Sequence, residues 1–340
     1  MNSIAVLLQA AEYIERREKE TKWQDLPDEL ILKILSYSEV IDLISCGQVS
    51  KRTRNISYDS SLWVLANLEE KIVKTELLEL ILSKGCKILN ISNSTIIGSW
   101  GSNMKSQLRV LNLSQFNPGF PTAQVDYEEN IDALEALLFS CCSLQHLKLK
   151  CLRITPKMAV SICMNGKTLQ TLNLNHSFMD ESIYPLSTMY RLDYNVPNGN
   201  FEAIIKFCQE LKEVDLNCFS NNLNYMEEGL TDDRLEFLAK NISPNVEKLD
   251  LRNHDFLLDD FKTLLSRCKK IKALSLDAYY MTDDSLRLRV SFSGLLELKS
   301  MPKLKILNLY NKDDYCEEIQ NLRQHLPHIK VSGDGPLRDG

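Results

Sequence analysis

Glycine, proline and histidine are scarce in this chain of 340 residues, which contains 12 Gly, 10 Pro and 5 His. So little Gly and Pro excludes a collagen-like chain and argues against long disordered segments. An excess of positive charge is lacking too, since 40 Lys+Arg stand against 46 Asp+Glu, a net charge of -6. A protein that coats nucleic-acid phosphates needs the opposite balance, so we do not expect a nucleic-acid partner.

Long hydrophobic runs are also missing. None approaches the roughly 20 residues that span a bilayer, so we expect no membrane partner. The apolar stretch 4–8 has no positive residue before it, and charge returns at Glu12. We interpret residues 1–22 as a separate N-terminal segment with a short amphipathic helix, not as a secretion signal.

The ten cysteines contain no Cys-x-x-Cys pair. With no secretion signal predicted, they indicate reduced thiols and a location in the nucleus and cytoplasm.

An internal repeat fills the second two-thirds of the chain. The pattern apolar-x-x-Leu-x-Leu, complete or with one substitution, recurs around the central positions Leu111, Leu147, Leu172, Val214, Leu249, Leu274 and Leu307, and weakly around Leu89. The steps from 89 to 111, 147 to 172 and 249 to 274 are 22, 25 and 25 residues, within the roughly 20–29 residues of leucine-rich repeats. The long step from 172 to 214 fits this period if 189–194 is a degenerate repeat.

The repeat predicts an α/β fold, a leucine-rich-repeat solenoid over residues 69–331 with a curved parallel sheet and outer helices, followed by a flexible tail at 332–340. One strand-plus-helix unit cannot bury its apolar face alone, so stacked units share a core. Cys141, Cys208 and Cys268 stand at the same offset before their strands. We interpret them as buried thiols, because equivalent places in successive repeats do not converge on one zinc ion.

Residues between the repeat leucines are expected on the exposed face of the sheet, either as a solvated surface or as a binding surface. The candidate substrate-binding or accessory-binding residues are Asp215, Asn217, Lys248, Asp250, Arg252, His254, Asp277 and Tyr310.

No catalytic motif of the phosphate-binding, metalloprotease or serine-hydrolase kind occurs in the sequence. The paired acids Asp232 and Asp233 follow Thr231, where a capping hydroxyl and the positive end of a helix account for them. We therefore predict a non-catalytic protein with no cofactor and no metal.

A small helical module precedes the repeats, over residues 23–68. Pro27 stands at the start of a predicted helix, where a backbone N–H would have no partner within the helix, and acids follow it in the first turn. Leu30, Ile31, Ile34 and Leu35 form the apolar stripe of this helix.

This module resembles an F-box, the segment through which substrate receptors dock on the adaptor subunit of SCF-type (Skp–cullin–F-box) ubiquitin ligases. The matching residues are Leu26–Leu30, Ile34-Leu35, Asp42-Leu43, 49–52 and Ser61–Trp63. Thr53 departs from the family, which usually has an aromatic residue there. The resemblance implies binding to the adaptor and, through it, to the cullin and RING subunits. The residues it marks for adaptor binding are Leu26, Pro27, Glu29, Leu30, Ile34, Leu35, Leu43, Val49 and Trp63.

F-box and repeats together resemble the F-box/leucine-rich-repeat substrate receptors, and among them the S-phase kinase-associated group. The stretches that carry this closer similarity are 61–63, 82–85, 144–147, 152–154, 301–305 and 325–328. It implies a phosphorylated protein substrate, a cyclin-dependent kinase inhibitor, and a Cks accessory subunit. Compared with that group, one repeat is absent between Leu276 and Leu307. The alternative is a leucine-rich-repeat scaffold or interaction protein that acts outside a ligase.

Overall fold

The computed structural model describes residues 23–100, 105–115, 124–179, 199–219, 230–254, 256–277, 294–310 and 316–332. The chain divides into two units, Met1–Ala66 and Asn67–Gly340, and the division falls within the strand Leu65–Asn67. Within the described ranges, no helix is both long enough and apolar enough to cross a membrane.

The first unit is helical. A 3-10 turn at Trp23–Asp25 precedes α1 (Asp28–Leu35), α2 (Val40–Val49) and α3 (Lys51–Ser57), and a second 3-10 turn follows at Ser60–Trp63. The α1 helix begins after Pro27 with two acids in its first turn, as the sequence predicts. The core of the first unit consists of Ile31, Leu35, Val40, Leu43, Ile56 and Trp63.

The second unit alternates strands and helices. Its helices are α4 (Thr75–Ser83), α5 (Gln124–Ser140), α6 (Pro156–Met164), α7 (Asn200–Phe207), α8 (Asp232–Asn241), α9 (Leu258–Arg267) and α10 (Cys316–His325), with a 3-10 helix at Gly294–Ser300. Its strands are β1 (Leu65–Asn67), β2 (Ile72–Lys74), β3 (Ile88–Asn90), β4 (Thr95–Ile97), β5 (Val110–Asn112), β6 (His146–Lys148), β7 (Arg153–Ile154), β8 (Thr171–Asn173), β9 (Phe178–Met179), β10 (Glu213–Asp215), β11 (Lys248–Asp250), β12 (Ala273–Asp277), β13 (Ile306–Tyr310) and β14 (Lys330–Ser332).

Among the described residues, ten strands form one large sheet in the order β1-β3-β5-β6-β8-β10-β11-β12-β13-β14. Its pairs from β3 to β14 are parallel. Two smaller parallel pairs, β2–β4 and β7–β9, lie outside this sheet. The second unit is therefore an α/β region with a large parallel sheet and helices.

Eight of the ten described strands of the large sheet, all except β1 and β14, coincide with the predicted repeats. Each central repeat position is a buried residue of its strand and stands in register with the next one, as Leu147 does with Leu172 and Val214 does with Leu249. The shared row of apolar side chains explains the order of the strands, because none of them could bury this residue alone. The assignment to leucine-rich repeats stays a prediction.

One expectation about the spacing of the repeats needs correction. The segment 189–194 lies outside the described residues, and β8 pairs directly with β10, so a degenerate repeat has no place between these two strands. β12 pairs directly with β13, so the described part of the large sheet has no strand between Leu276 and Leu307, in agreement with the sequence. The long gaps in the sequence therefore belong to the connections between neighbouring strands.

A recurrent turn follows the strands. The third residue after each of six strands has a positive φ, a backbone angle that residues other than glycine rarely adopt. These residues are Glu70, Asn93, Cys151, His176, Cys218 and Asn253, with φ between 53° and 65°. The backbone N–H of His176 donates to the Asn217 carbonyl oxygen at 2.8 Å. Hydrogen bonding between neighbouring repeats thus continues beyond the strands.

The thiols of Cys141, Cys208 and Cys268 are buried, as predicted. Burial raises the pKa of Cys141 and of Cys268 to about 11, and it also raises the pKa of Cys208. Such thiols stay protonated and behave as small apolar side chains. In the described part of the chain, His, Cys, Asp and Glu form no group of three or more that could hold a metal ion.

Candidate functional site

The first candidate site is a set of exposed aliphatic side chains of the first unit, here called the docking face, which consists of Leu30, Ile34 and Val49. These side chains are 51%, 45% and 75% exposed. Leu30 and Ile34 lie one helical turn apart on α1 and therefore share one side of that helix. Large aliphatic side chains this exposed, on helices with a formed core behind them, are available to a partner.

Other predicted docking residues are found in different environments. Pro27 and Glu29 are exposed and Leu26 is half-buried. Leu35 and Leu43 are only 2% and 0% exposed. These two leucines point into the core of the unit, so the prediction that they contact a partner needs correction.

Trp63 also lies inside the unit and not on its surface. It is 0% exposed, and its indole Nε1–H donates to the Ser57 carbonyl oxygen at 2.8 Å. Its ring lies against Tyr58, with a centroid distance of 5.8 Å. Trp63 thus closes the core behind the docking face, because a buried indole needs a partner for its N–H.

Arg52 links α3 to the residues just before α1. Its guanidinium donates to the carbonyl oxygens of Gln24 and Leu26, at 2.8 and 2.6 Å, and to the Asp28 carboxylate at 2.7 Å. Three bonds from one rigid fork fix the start of α1. The sequence gives Arg52 as part of the motif, but its contacts across some 24 to 28 residues could not be read from spacing.

The departure at Thr53 is accommodated locally. Thr53 is buried, its hydroxyl lies 2.9 Å from that of Ser50, and its backbone N–H donates to the Ser50 hydroxyl. Ser50 is the N-cap of α3, so Thr53 completes a capping arrangement. A small hydroxyl side chain suits this position, where an aromatic ring would have to point elsewhere.

The second candidate site is the polar face of the large sheet, here called the ladder face, made by the residues that flank the central row in β8, β10, β11 and β12 and by the residues just after these strands. Asp215 stands at its centre. Its carboxylate accepts from the side-chain amides of Asn173 and Asn175, at 2.9 and 3.3 Å, and from the backbone N–H of Asn217 at 3.1 Å. Burial first, and then the nearby Asp250 carboxylate, raise the pKa of Asp215.

The two predicted cations of the ladder face are paired. Arg252 makes a two-oxygen contact with Asp250, with Nη2–Oδ2 at 2.7 Å and Nε–Oδ1 at 2.9 Å, and both side chains are largely buried. Lys248 is more exposed and lies 2.9 Å from Glu213 on the neighbouring strand. Lys248 is therefore the cation that a ligand reaches more readily.

His254 is a buried structural residue, and its predicted place on the binding surface needs correction. The Leu230 N–H donates to Nδ1 at 3.1 Å, which leaves Nε2–H to donate to the Leu216 carbonyl oxygen at 2.8 Å. Burial lowers the pKa of His254 to about 4. A neutral ring suits this arrangement, because Nδ1 has to accept a hydrogen bond.

The remaining predicted residues lie along the same edge of the sheet. Asn217 is 8% exposed, and its side-chain oxygen accepts from the Asn253 amide at 2.8 Å. Asp277 accepts from the Asn253 N–H at 2.6 Å. Tyr310 ends β13, and its side chain lies outside the described residues. Asn175, which sequence reasoning passed over, has a buried Oδ1 that lacks a hydrogen-bond partner.

The paired acids Asp232 and Asp233 lie in the first turn of α8, as expected. Thr231 precedes them as N-cap, but its side chain makes no capping hydrogen bond. The favourable interaction with the helix end therefore comes from the acids.

Residues 23–66 match the family model described as F-box-like. The match covers the described part of the first unit, and it includes the whole docking face. F-box proteins are generally non-catalytic adaptors. The match supports an F-box protein, and an F-box-like domain implies binding to an Skp1-type adaptor within an SCF complex.

Proposed function

We propose that this chain is a substrate-recognition subunit of an SCF-type E3 ubiquitin ligase. The observation that carries the proposal is the docking face, a set of exposed aliphatic side chains within the residues that match the F-box-like family. Leu30 and Ile34 would enter the adaptor interface, while Leu35, Leu43 and Trp63 hold the helices in place behind them.

The mechanism is proximity. The first unit binds the adaptor and, through it, the cullin and RING subunits, and the second unit holds a protein substrate. Holding a substrate lysine near the charged conjugating enzyme raises its effective concentration, so the receptor needs no reacting group of its own.

For the second unit we propose leucine-rich repeats that bind substrate on the ladder face. In-register strands with one buried central residue, and the same turn after six strands of the large sheet, support the repeats. The exposed cation Lys248 offers a polar contact. By its resemblance to the S-phase kinase-associated group, we propose a phosphorylated cyclin-dependent kinase inhibitor as substrate, a Cks accessory subunit, a role in the cell cycle, and action in nucleus and cytoplasm.

Replacing Leu30 and Ile34 together by Ala tests adaptor binding. Loss of two aliphatic contacts at an interface weakens binding at least roughly tenfold, so we expect the adaptor to be lost from co-purification. The unfolding midpoint should hardly change, because both side chains are exposed in the free protein. Ile72→Ala is the matched control, since Ile72 is 75% exposed and lies in the second unit. Adaptor binding that survives the double substitution would disprove the proposed docking face.

Charge reversal at Lys248 tests the ladder face. We expect Lys248→Glu to weaken capture of the phosphorylated inhibitor or of the accessory subunit, because it removes a cation and leaves two acids side by side with Glu213. Adaptor binding should persist. Lys262→Glu is the control, since Lys262 is also exposed and pairs with Glu297 on the outer helices. Equal capture by both variants would exclude Lys248 from the binding surface.

The identity of the substrate is tested separately. Mass spectrometry of proteins that accumulate when this chain is depleted should find cyclin-dependent kinase inhibitors. If other proteins accumulate instead, the S-phase assignment is wrong while the ligase assignment can survive.

A further inference from the structure

Lysines gather where the last strands of the large sheet begin. Lys269, Lys270 and Lys272 precede β12, Lys303 and Lys305 precede β13, and Lys330 opens β14; we call these six residues the basic edge. All six are exposed. In the described segments 241–247, 268–272, 301–305 and 326–329, which lead into β11 to β14, the only acidic residue is Glu247.

The sheet register brings these lysines together. The backbone N–H of Lys305 donates to the Lys272 carbonyl oxygen at 2.9 Å, and that of Lys330 donates to the Lys305 carbonyl oxygen at 2.8 Å. Neighbouring strands lie about 4.8 Å apart, so the backbone positions of lysines on adjacent strands are closer together than the Debye length of about 8 Å at physiological salt. They act as one field of positive charge in a chain whose net charge is -6.

The single acid does not neutralise this field. Glu247 lies 2.6 Å from Lys272. The hydrogen bond from Lys272, together with the positive charges of Lys212 and Lys303, holds the pKa of Glu247 below its usual value. One carboxylate thus faces three ammonium groups, and Lys305 adds a further positive charge in the segment 301–305, which contains no acid.

The helix dipole does not account for the basic edge. A cation near the end of a helix is stabilised by the dipole only within the last turn. Arg267 occupies that place at the end of α9. The six lysines follow the helices, on the turns into the strands or at the first residue of a strand.

We propose that the basic edge is an interaction surface for an acidic peptide segment of a partner protein. The lysines form a row across the beginnings of three neighbouring strands. A row of this kind suits an extended chain that bears several carboxylates. Lysine ammonium groups are compact point charges that lack the bidentate fork of arginine, so they fit a run of acids better than one fixed phosphate. A nucleic-acid ligand is disfavoured because acids lie at the opposite end of the sheet, with Asp277 at the end of β12 and Asp215 and Asp250 at the ends of β10 and β11. This surface is separate from the docking face and does not depend on the proposed ligase function.

Fluorescence anisotropy of a labelled oligoglutamate peptide with the full chain tests the proposal. We expect saturable binding that weakens steadily with added salt. The double variant Lys303→Glu/Lys305→Glu should weaken it roughly tenfold, because each reversal turns an attraction into a repulsion. The control is Lys148→Glu/Lys150→Glu, which changes net charge equally at exposed positions in and just after β6. This control should change the affinity less than about twofold, because the Debye length at physiological salt is shorter than its distance from the basic edge.

Equal weakening by both double variants would overturn the proposal, since it would reveal a response to net charge alone. No binding of oligoglutamate at low salt would overturn it as well. Two competitors complete the test, a single-stranded RNA of matched charge and vesicles rich in phosphatidylserine. If either one bound the basic edge more tightly than the acidic peptide, the assignment of the partner would be wrong.

Discussion

Individual polar side chains at the ends of the strands hold the backbone of the following turn in place. On the ladder face, two of these side chains are carboxylates. Asp215 and Asp250 each accept the backbone N–H of the residue two positions later, at 3.1 and 3.2 Å. Asn90, Asn112 and Asn173 make the same bond after their own strands. The acids here are therefore part of a recurrent turn that polar side chains stabilise.

His254 makes stability depend on pH. Its pKa is about 4 in the folded chain, against a usual value of 6.5. Between these values the unfolded chain binds a proton that the folded chain does not. The free energy of unfolding should therefore fall as pH decreases from about 6.5 to about 4, by up to roughly 1.4 kcal/mol per pH unit.

Urea unfolding of the wild type and of His254→Gln across this range measures the effect. The variant, which cannot take up a proton there, should show a flatter dependence. His176, whose pKa is also lowered by burial, contributes in the same direction, and Asp215, whose pKa is raised, contributes in the opposite direction. The difference between the two curves isolates His254. Parallel curves would show that this ring does not carry the linkage.

The turn that follows six strands of the large sheet gives the connections after these strands a common geometry. His176, at φ 53°, is an exposed example of its left-handed residue. A β-branched residue is poorly tolerated there, so His176→Val should lower the free energy of unfolding by about 1–2 kcal/mol, whereas His176→Asn should be nearly neutral. Lys148→Val, at an exposed position in β6, is the control and should cost little, because valine suits a strand. Equal stability of both valine variants would contradict a strained turn.

Strands with a strong leucine pattern were predictable, and those without it were not. The central residues of β3, β5, β6, β8 and β10 to β13 follow from spacing alone, since burial of that row requires apolar side chains. The end strands β1 and β14 were not predicted as repeats, because Leu65–Asn67 and Lys330–Ser332 lack the pattern. The same limit applied to the docking face, where sequence could not distinguish exposed Leu30 from buried Leu35 on one helix, because both are leucines of one apolar stripe. It also applied to His254, because burial depends on contacts that are distant in sequence.

At the scale of the whole molecule, the proposed receptor is expected to promote ubiquitin transfer only as part of an assembly. With activating and conjugating enzymes alone, the purified chain should form no conjugates. Adding adaptor, cullin and RING subunits should allow transfer to a bound substrate. Immunoblotting for ubiquitin in the two mixtures distinguishes these outcomes. Conjugation in the first mixture would refute the non-catalytic role.

The last strand has a consequence for self-association. In the described part of the sheet, β14 is the terminal strand, and such an edge can pair with the edge of another molecule. It is only three residues long, and it begins with an exposed lysine, Lys330. Short strands and lysines at an edge oppose pairing between molecules, because few backbone groups are offered and like charges repel. The same lysine that contributes to the basic edge thus helps to keep the sheet from growing into an aggregate.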